Sequence, residues 1–104
     1  MPTLSTRQKA RVKAGFASEC FEARYRAIQN SAEYGLTQNL PIITRILQED
    51  LDFELQLAAI MAIGKLGNDS HIPMLEDIGR DTPFDDFRQA IEISISQIRT
   101  KALQ

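Results

Sequence analysis

The chain has a single histidine, His71, and a single cysteine, Cys20, and they stand far apart in it. Metal chemistry needs clustered nitrogen, sulfur or carboxylate ligands, so no metal site is expected. A Ser–His–Asp arrangement has only His71 to use. That residue falls in a turn at a helix start and reads as a surface histidine. Cys20 follows Phe16 at i+4 and reads as a small core residue rather than a nucleophile. No glycine-rich phosphate loop is present. Carboxylates are plentiful, at 14, but no pair is visibly held in an apolar pocket as acid–base work requires. No catalytic residue and no cofactor is expected.

Up to Arg26 there are six basic residues (Arg7, Lys9, Arg11, Lys13, Arg24, Arg26) against two acidic ones, Glu19 and Glu22. That is +4 of a total of −2, so the remaining residues carry −6. Neighbours in the run Arg7, Lys9, Arg11, Lys13 point about 200° apart on a helix. They form two lines rather than one broad patch, and the acidic body would repel phosphate. Nucleic-acid binding through this segment is therefore the weakest of the readings kept open.

Composition narrows the class further. Apolar residues make up 43% and charged residues 25%, the balance of an ordinary soluble domain. No run approaches the roughly 18 apolar residues of a membrane span, so no membrane partner is expected. "MPTLSTRQKARVKAGF" lacks the apolar core of a secretory leader. With one cysteine there is no internal disulfide framework, and a reducing cytoplasm is the simplest compartment. The length predicts one domain over 1–104.

The elements that position these residues come from a repeat. "LPIITRIL" from Leu40 and "IPMLEDIG" from Ile72 superpose Pro41 on Pro73, an offset of 32. The same offset carries Leu55 to Phe87, Ile63 to Ile95 and Leu66 to Ile98, and backwards Ala59 to Ala27, Ile60 to Ile28 and Gly67 to Gly35. A period of this size marks stacked supersecondary units. In "FELQLAAIMAIGKLG", Leu55, Ala59, Ala62, Ile63 and Leu66 make one apolar helical face. Gly67 then reads as a left-handed stop. Asp69 or Ser70 reads as the next N-cap, with Pro73 in the first turn. In "GRDTPFDDF", Thr82 is the expected N-cap and Pro83 the first helical residue, with Asp85 and Asp86 in the first turn.

The spacing predicts six helices, over about 5–18, 21–34, 39–49, 53–66, 71–80 and 84–101. Residues 1–20 form a basic N-terminal helix or cap, and 21–101 the repeats. Ile91, Ile93 and Ile95 alternate like a strand, but Ile91, Ile95, Ile98 and Ala102 keep helical spacing and the register places them on a helix.

The register also sorts surface from core. Ile28 and Ile60 lead to Glu92, and Ala32 and Gly64 to Ser96, which is the polar substitution a terminal repeat needs. Two rows, Tyr25–Leu57–Gln89 and Gln29–Met61–Ile93, lie beside a Glu54–Lys65 polar stripe. They are the candidate partner-binding residues, because methionine adapts its shape and tyrosine brings area with a polar tip. The alternative is that Leu57 and Met61 are covered by neighbours. A third row, Glu22–Glu54–Asp86, with Glu49, Asp50, Asp52, Asp81 and Asp85 nearby, reads as an acidic edge for a basic peptide or for a second copy's N-terminal segment. Equally, acids at helix N-termini complement the helix dipole.

The pattern L-x-x-x-A-x-x-A-I-G-x-L-G-[ND]-x-x-x-I-P-x-L, from Leu55 to Leu75, resembles the HEAT repeat, most of all the short form of phycobilisome-lyase-type proteins. The resemblance covers about Glu22 to Lys101 and is strongest in the central unit; Ser31-Ala32 and Ile95-Ser96 stand where that unit has Ile63-Gly64. It implies an all-α fold, a short right-handed α-α superhelix (a HEAT-like solenoid) of about three antiparallel helix pairs. In function it implies a non-catalytic adaptor, scaffold or regulator whose partner is another protein or a second copy. It also leaves open an accessory, chaperone-like subunit of a bilin lyase-type system.

Overall fold

The computed structural model describes residues 3–103, and six α-helices carry most of them. Helix α1 (Thr6–Gly15) starts at a reciprocal cap: Gln8 N donates to Ser5 Oγ (3.1 Å) and Ser5 N to Gln8 Oε1 (2.8 Å). It closes on α2 (Phe21–Glu33) so tightly that a Cβ on Gly15 would lie 3.1 Å from Ala27 Cβ. Gly35, at φ +66°, turns the chain into a 3₁₀ turn and then α3 (Leu40–Glu49), with Pro41 in its first turn. Asp52 Oδ1 accepts from Leu55 N (3.0 Å) and caps α4 (Phe53–Leu66). A second 3₁₀ turn, Asp69–His71, opens α5 (Ile72–Asp81), and α6 spans Asp85–Ala102. No strand occurs among the described residues, and "IEISISQI" lies within α6.

The junctions depart from expectation in four places, each for a local reason. Gly67 is extended, at φ −78°, not left-handed. What it supplies is room, since a Cβ there would stand 2.6 Å from Ile63 O. Neither Asp69 nor Ser70 caps the following turn. Asn68 does, its Oδ1 accepting from Ser70 N (2.9 Å) while His71 Nδ1 accepts from Asn68 N (3.1 Å). His71 is thus half-buried and structural rather than a free surface residue. Thr82 closes a turn ahead of α6 instead of capping it: its Oγ1 accepts from Phe84 N (3.2 Å), and Pro83 stays outside the helix. Finally, α1 stops at Gly15, which breaks the i+4 relation between Phe16 and Cys20. Cys20 becomes the exposed N-cap of α2 and joins no core.

Successive helices pair as α1–α2, α3–α4 and α5–α6, and the pairs stack through α2, α4 and α6. Two helix layers about 8–10 Å apart fit the thinnest extent of the molecule, 17 Å. Helix α4 is the centre, with Leu55, Ala59, Ile60, Ala62, Ile63, Gly64 and Leu66 all buried. Ile28, Ile43, Leu75, Phe87, Ile91 and Ile98 close the core around it. In contrast, α1 buries no residue. The three buried polar residues are bonded, as buried polar groups usually are: Asn39 Nδ2 donates to Ser31 Oγ (3.0 Å), Ser31 Oγ to Ala27 O (2.8 Å) and Ser94 Oγ to Ile60 O (2.9 Å), whereas the buried Arg24 Nε has no partner among the described residues.

The C-terminal carbonyls of α4 are met from another helix. Lys101 Nζ donates to Lys65 O (2.7 Å) and Gly67 O (2.9 Å), where the helix dipole also favours a cation. Desolvation by burial lowers its pKa below the ordinary 10.5. The unfolded chain then binds more protons just below 10.5, so this group's contribution to stability rises with pH through that window. Lys101→Met is expected to lower stability by about 1 kcal/mol through the lost cap, read from a urea melt at neutral pH.

Candidate protein-docking face

Helices α2, α4 and α6 run in the same sense, with their N-terminal ends side by side. Phe53 at the start of α4 stacks on Phe87 of α6 (ring centroids 4.7 Å apart) and meets Phe84 edge-on at 5.2 Å. Arg24 of α2 reaches Asp50, just before α4, at 3.2 Å. This parallel order turns the 32-residue register into rows across one face.

Two troughs run along that face, one on each side of α4. The first, of about 640 Å³, lies between α2 and α4 and is bordered by Tyr25, Gln29, Met61 and Lys65 over a floor that includes Ala32, Ala58 and Ala62. The second, of about 290 Å³, lies between α4 and α6, with Leu57, Met61, Gln89 and Ile93 around a floor of Ala90 and Ser94. The small floor residues are what leaves each trough open. Met61 and Lys65 form the ridge between them.

The structure therefore brings Tyr25, Gln29, Leu57, Met61, Gln89 and Ile93 onto one continuous surface. Met61 is 56% and Ile93 60% exposed, so neighbours do not cover them. Leu57 and Tyr25 are half-buried and pack against the core from this side. On α6 Glu92 is exposed, while Ile28 and Ile60 at the equivalent positions of α2 and α4 are buried.

The acids divide into two groups. Asp52 caps α4, Asp50 pairs with Arg24 and accepts from Asp52 N (2.9 Å), and Asp85 pairs with Arg88. Those are structural duties. Glu22, Glu54 and Asp86 are exposed in the first turns of α2, α4 and α6 and form no ion pair among the described residues. Arg7, Lys9, Arg11 and Lys13 are exposed along α1.

One feature of the rim escapes a reading by register. Phe21, Phe53 and Phe84 are 37%, 37% and 50% exposed at the starts of α2, α4 and α6, with Phe84 also bordering a groove lined by Gln48, Met74 and Asp77 of α3 and α5. Phe21 and Phe53 share the register, but Phe84 aligns with Asp52, one position off. Aromatic residues within one position of a common register would have been the signal.

Among the described residues no group of three or more His, Cys, Asp or Glu side chains is placed to hold a metal ion. None of the helices is long and apolar enough to cross a membrane. Helix pairs stacked through their second members, exposing one continuous face, define a helical-repeat solenoid. A family model described as HEAT repeats matches residues 10–96, and the chain belongs to the HEAT-repeat family. Neither a curated protein sequence nor a solved structure matches the chain. HEAT repeats generally mediate protein–protein interaction.

Proposed function

We propose that this chain is a non-catalytic, cytoplasmic adaptor or regulator that docks another protein on the face formed by α2, α4 and α6. The observation that supports this most is that two of the seven exposed large apolar side chains, Met61 and Ile93, stand on the crests of two troughs floored by small residues. Open apolar surface of this kind is uncommon on a small domain without a use. Methionine suits a surface that fits its partner by adapting.

Leu57→Ser combined with Met61→Ser tests it. Complex formation with the captured partner is expected to weaken by tenfold or more, about 1.4 kcal/mol. The fold should keep most of its stability, because Met61 is exposed and Leu57 only half-buried. Affinity and melting temperature are measured side by side, with Glu76→Ser on α5 as the control away from the face. A fall in melting temperature without a selective loss of binding would place these residues in the core and the site elsewhere.

A further inference from the structure

We infer that a second copy of this chain covers the docking face, the two copies packed antiparallel as a weak two-fold dimer through α4 and α6. The inference rests on the docking reading above and names what occupies that face when no other protein does. Phe53, Glu54, Met61 and Lys65 are the exposed residues of α4, with Leu57 and Ala58 half-buried between them. At 3.6 residues per turn, Glu54 and Lys65 point within about 20° of each other and stand about 16 Å apart along the axis. Glu54, Ala58, Met61 and Lys65 thus form one stripe, acid at one end, base at the other and apolar between. Neither charge is in an ion pair among the described residues.

A two-fold interface uses the same patch on both copies, so that patch must complement itself. Turned antiparallel about an axis through the middle of α4, this stripe does. Glu54 falls opposite Lys65 of the second copy, and the pair occurs twice. Met61 falls on Ala58 of the second copy, a large side chain on a small one. The offset of 32 carries the same order onto α6 as Asp86, Ala90, Ile93 and Gln97, all of which border the α4–α6 trough. There Ile93 falls on Ala90 of the second copy, and Asp86 faces the Gln97 amide, which can donate to it. A parallel dimer would set acid beside acid and lysine beside lysine.

Helix α2 breaks the order. Its equivalent positions are Glu22, Arg26, Gln29 and Glu33, with no small residue and an acid at both ends. The contact therefore centres on α4 and α6 and leaves α2 at its edge. The surface is large enough, since the molecule measures 39 × 35 Å across its broad side and a stable dimer buries about 800 Å² per copy. Exposed ion pairs add little affinity; here they fix the orientation. The dissociation constant is expected on the order of 10 μM, the weak end for an interface of this size.

The test is sedimentation equilibrium of the whole chain over a range of concentrations. The chain is expected to pass from monomer to dimer as concentration rises. Glu54→Lys and Lys65→Glu should each weaken the dimer by about tenfold or more, because each sets two like-charged pairs across the interface. Mixed together, the two variants should associate with each other at close to the original affinity, since each supplies the charges the other lacks. That rescue separates a broken contact from a broken fold. Met61→Ser should weaken the dimer with little change in melting temperature. A chain that stays monomeric to sub-millimolar concentration would overturn the inference. So would a dimer indifferent to Glu54→Lys, or a mixture of the two charge variants that fails to associate. A dimer dissolved by serine at Arg7, Lys9, Arg11 and Lys13 but not by Lys65→Glu would put a second copy's α1 on the face and overturn it as well. Should the chain prove monomeric while Leu57→Ser/Met61→Ser still disrupts the native complex, the docking face stands and only the second copy as its occupant falls.

Discussion

Ile60→Glu is expected to leave the chain without a cooperative fold at 25 °C. Ile60 lies on α4 with 0% of its surface exposed, in the middle of the core that the three helix pairs share. No cation approaches that site in an ion pair among the described residues. A carboxylate there loses its hydration, at several kcal/mol, and the isoleucine's burial is forfeited as well, at about 1.5–3 kcal/mol. Domains of this size are stable by only about 5–15 kcal/mol. The reciprocal change one repeat later, Glu92→Ile, alters an exposed position on α6. Its effect on stability should stay within about 0.5 kcal/mol, while ultracentrifugation should show more association. A native-like melt for Ile60→Glu would mean that α4 does not stack as described.

Gly64→Val is the second large effect. Helix α6 crosses α4 so closely there that an added Cβ would stand 2.5 Å from Gln97 Oε1, 2.7 Å from Ser94 Oγ and 2.8 Å from Ser94 Cα. The Gln97 side chain can swing away, but the Ser94 backbone cannot, so the helices must part. Parting them also strains the buried bond from Ser94 Oγ to Ile60 O, and an unpaired buried polar group adds about 1–3 kcal/mol to the overpacking cost of about 1–3. A loss of about 3 kcal/mol or more is expected in urea unfolding. Gly79 on α5 is the control. A Cβ there meets only ordinary contacts, 3.5–3.6 Å from Ile91, so Gly79→Ala should stabilise by up to about 1 kcal/mol through helix propensity. Equal effects at the two glycines would contradict the close α4–α6 crossing.

The helices and their stacking were legible because they follow from periodicity. Pro41 and Pro73 mark equivalent helix starts, and the apolar face of α4 declares which side is buried. The rows across α2, α4 and α6 followed from the same offset, since stacked repeats place equivalent positions side by side. What stayed hidden depends on single contacts. Gly67 is read as a left-handed stop from its place after the last apolar residue, yet it is needed for the space beside Ile63 O. The cap on α4 comes from Lys101, on a different helix, and no local rule reaches that far. Cys20 was misplaced because its stripe assumed that α1 continues past Gly15. The aromatic rim was missed because Phe84 sits one residue out of register, at the N-cap of α6 rather than within it.

Hydrogen–deuterium exchange of the chain, free and with its captured partner, tests the docking face most directly. Backbone amides exchange through local opening, and a docked partner should slow exchange along the surface it covers. Added protection is expected in peptides spanning 21–33, 53–66 and 85–97, strongest around Met61 and Ile93, with α1, α3 and α5 unchanged. Protection confined to α3 and α5, with the α2, α4 and α6 segments exchanging as in the free chain, would place the partner on the opposite layer and contradict the docking reading.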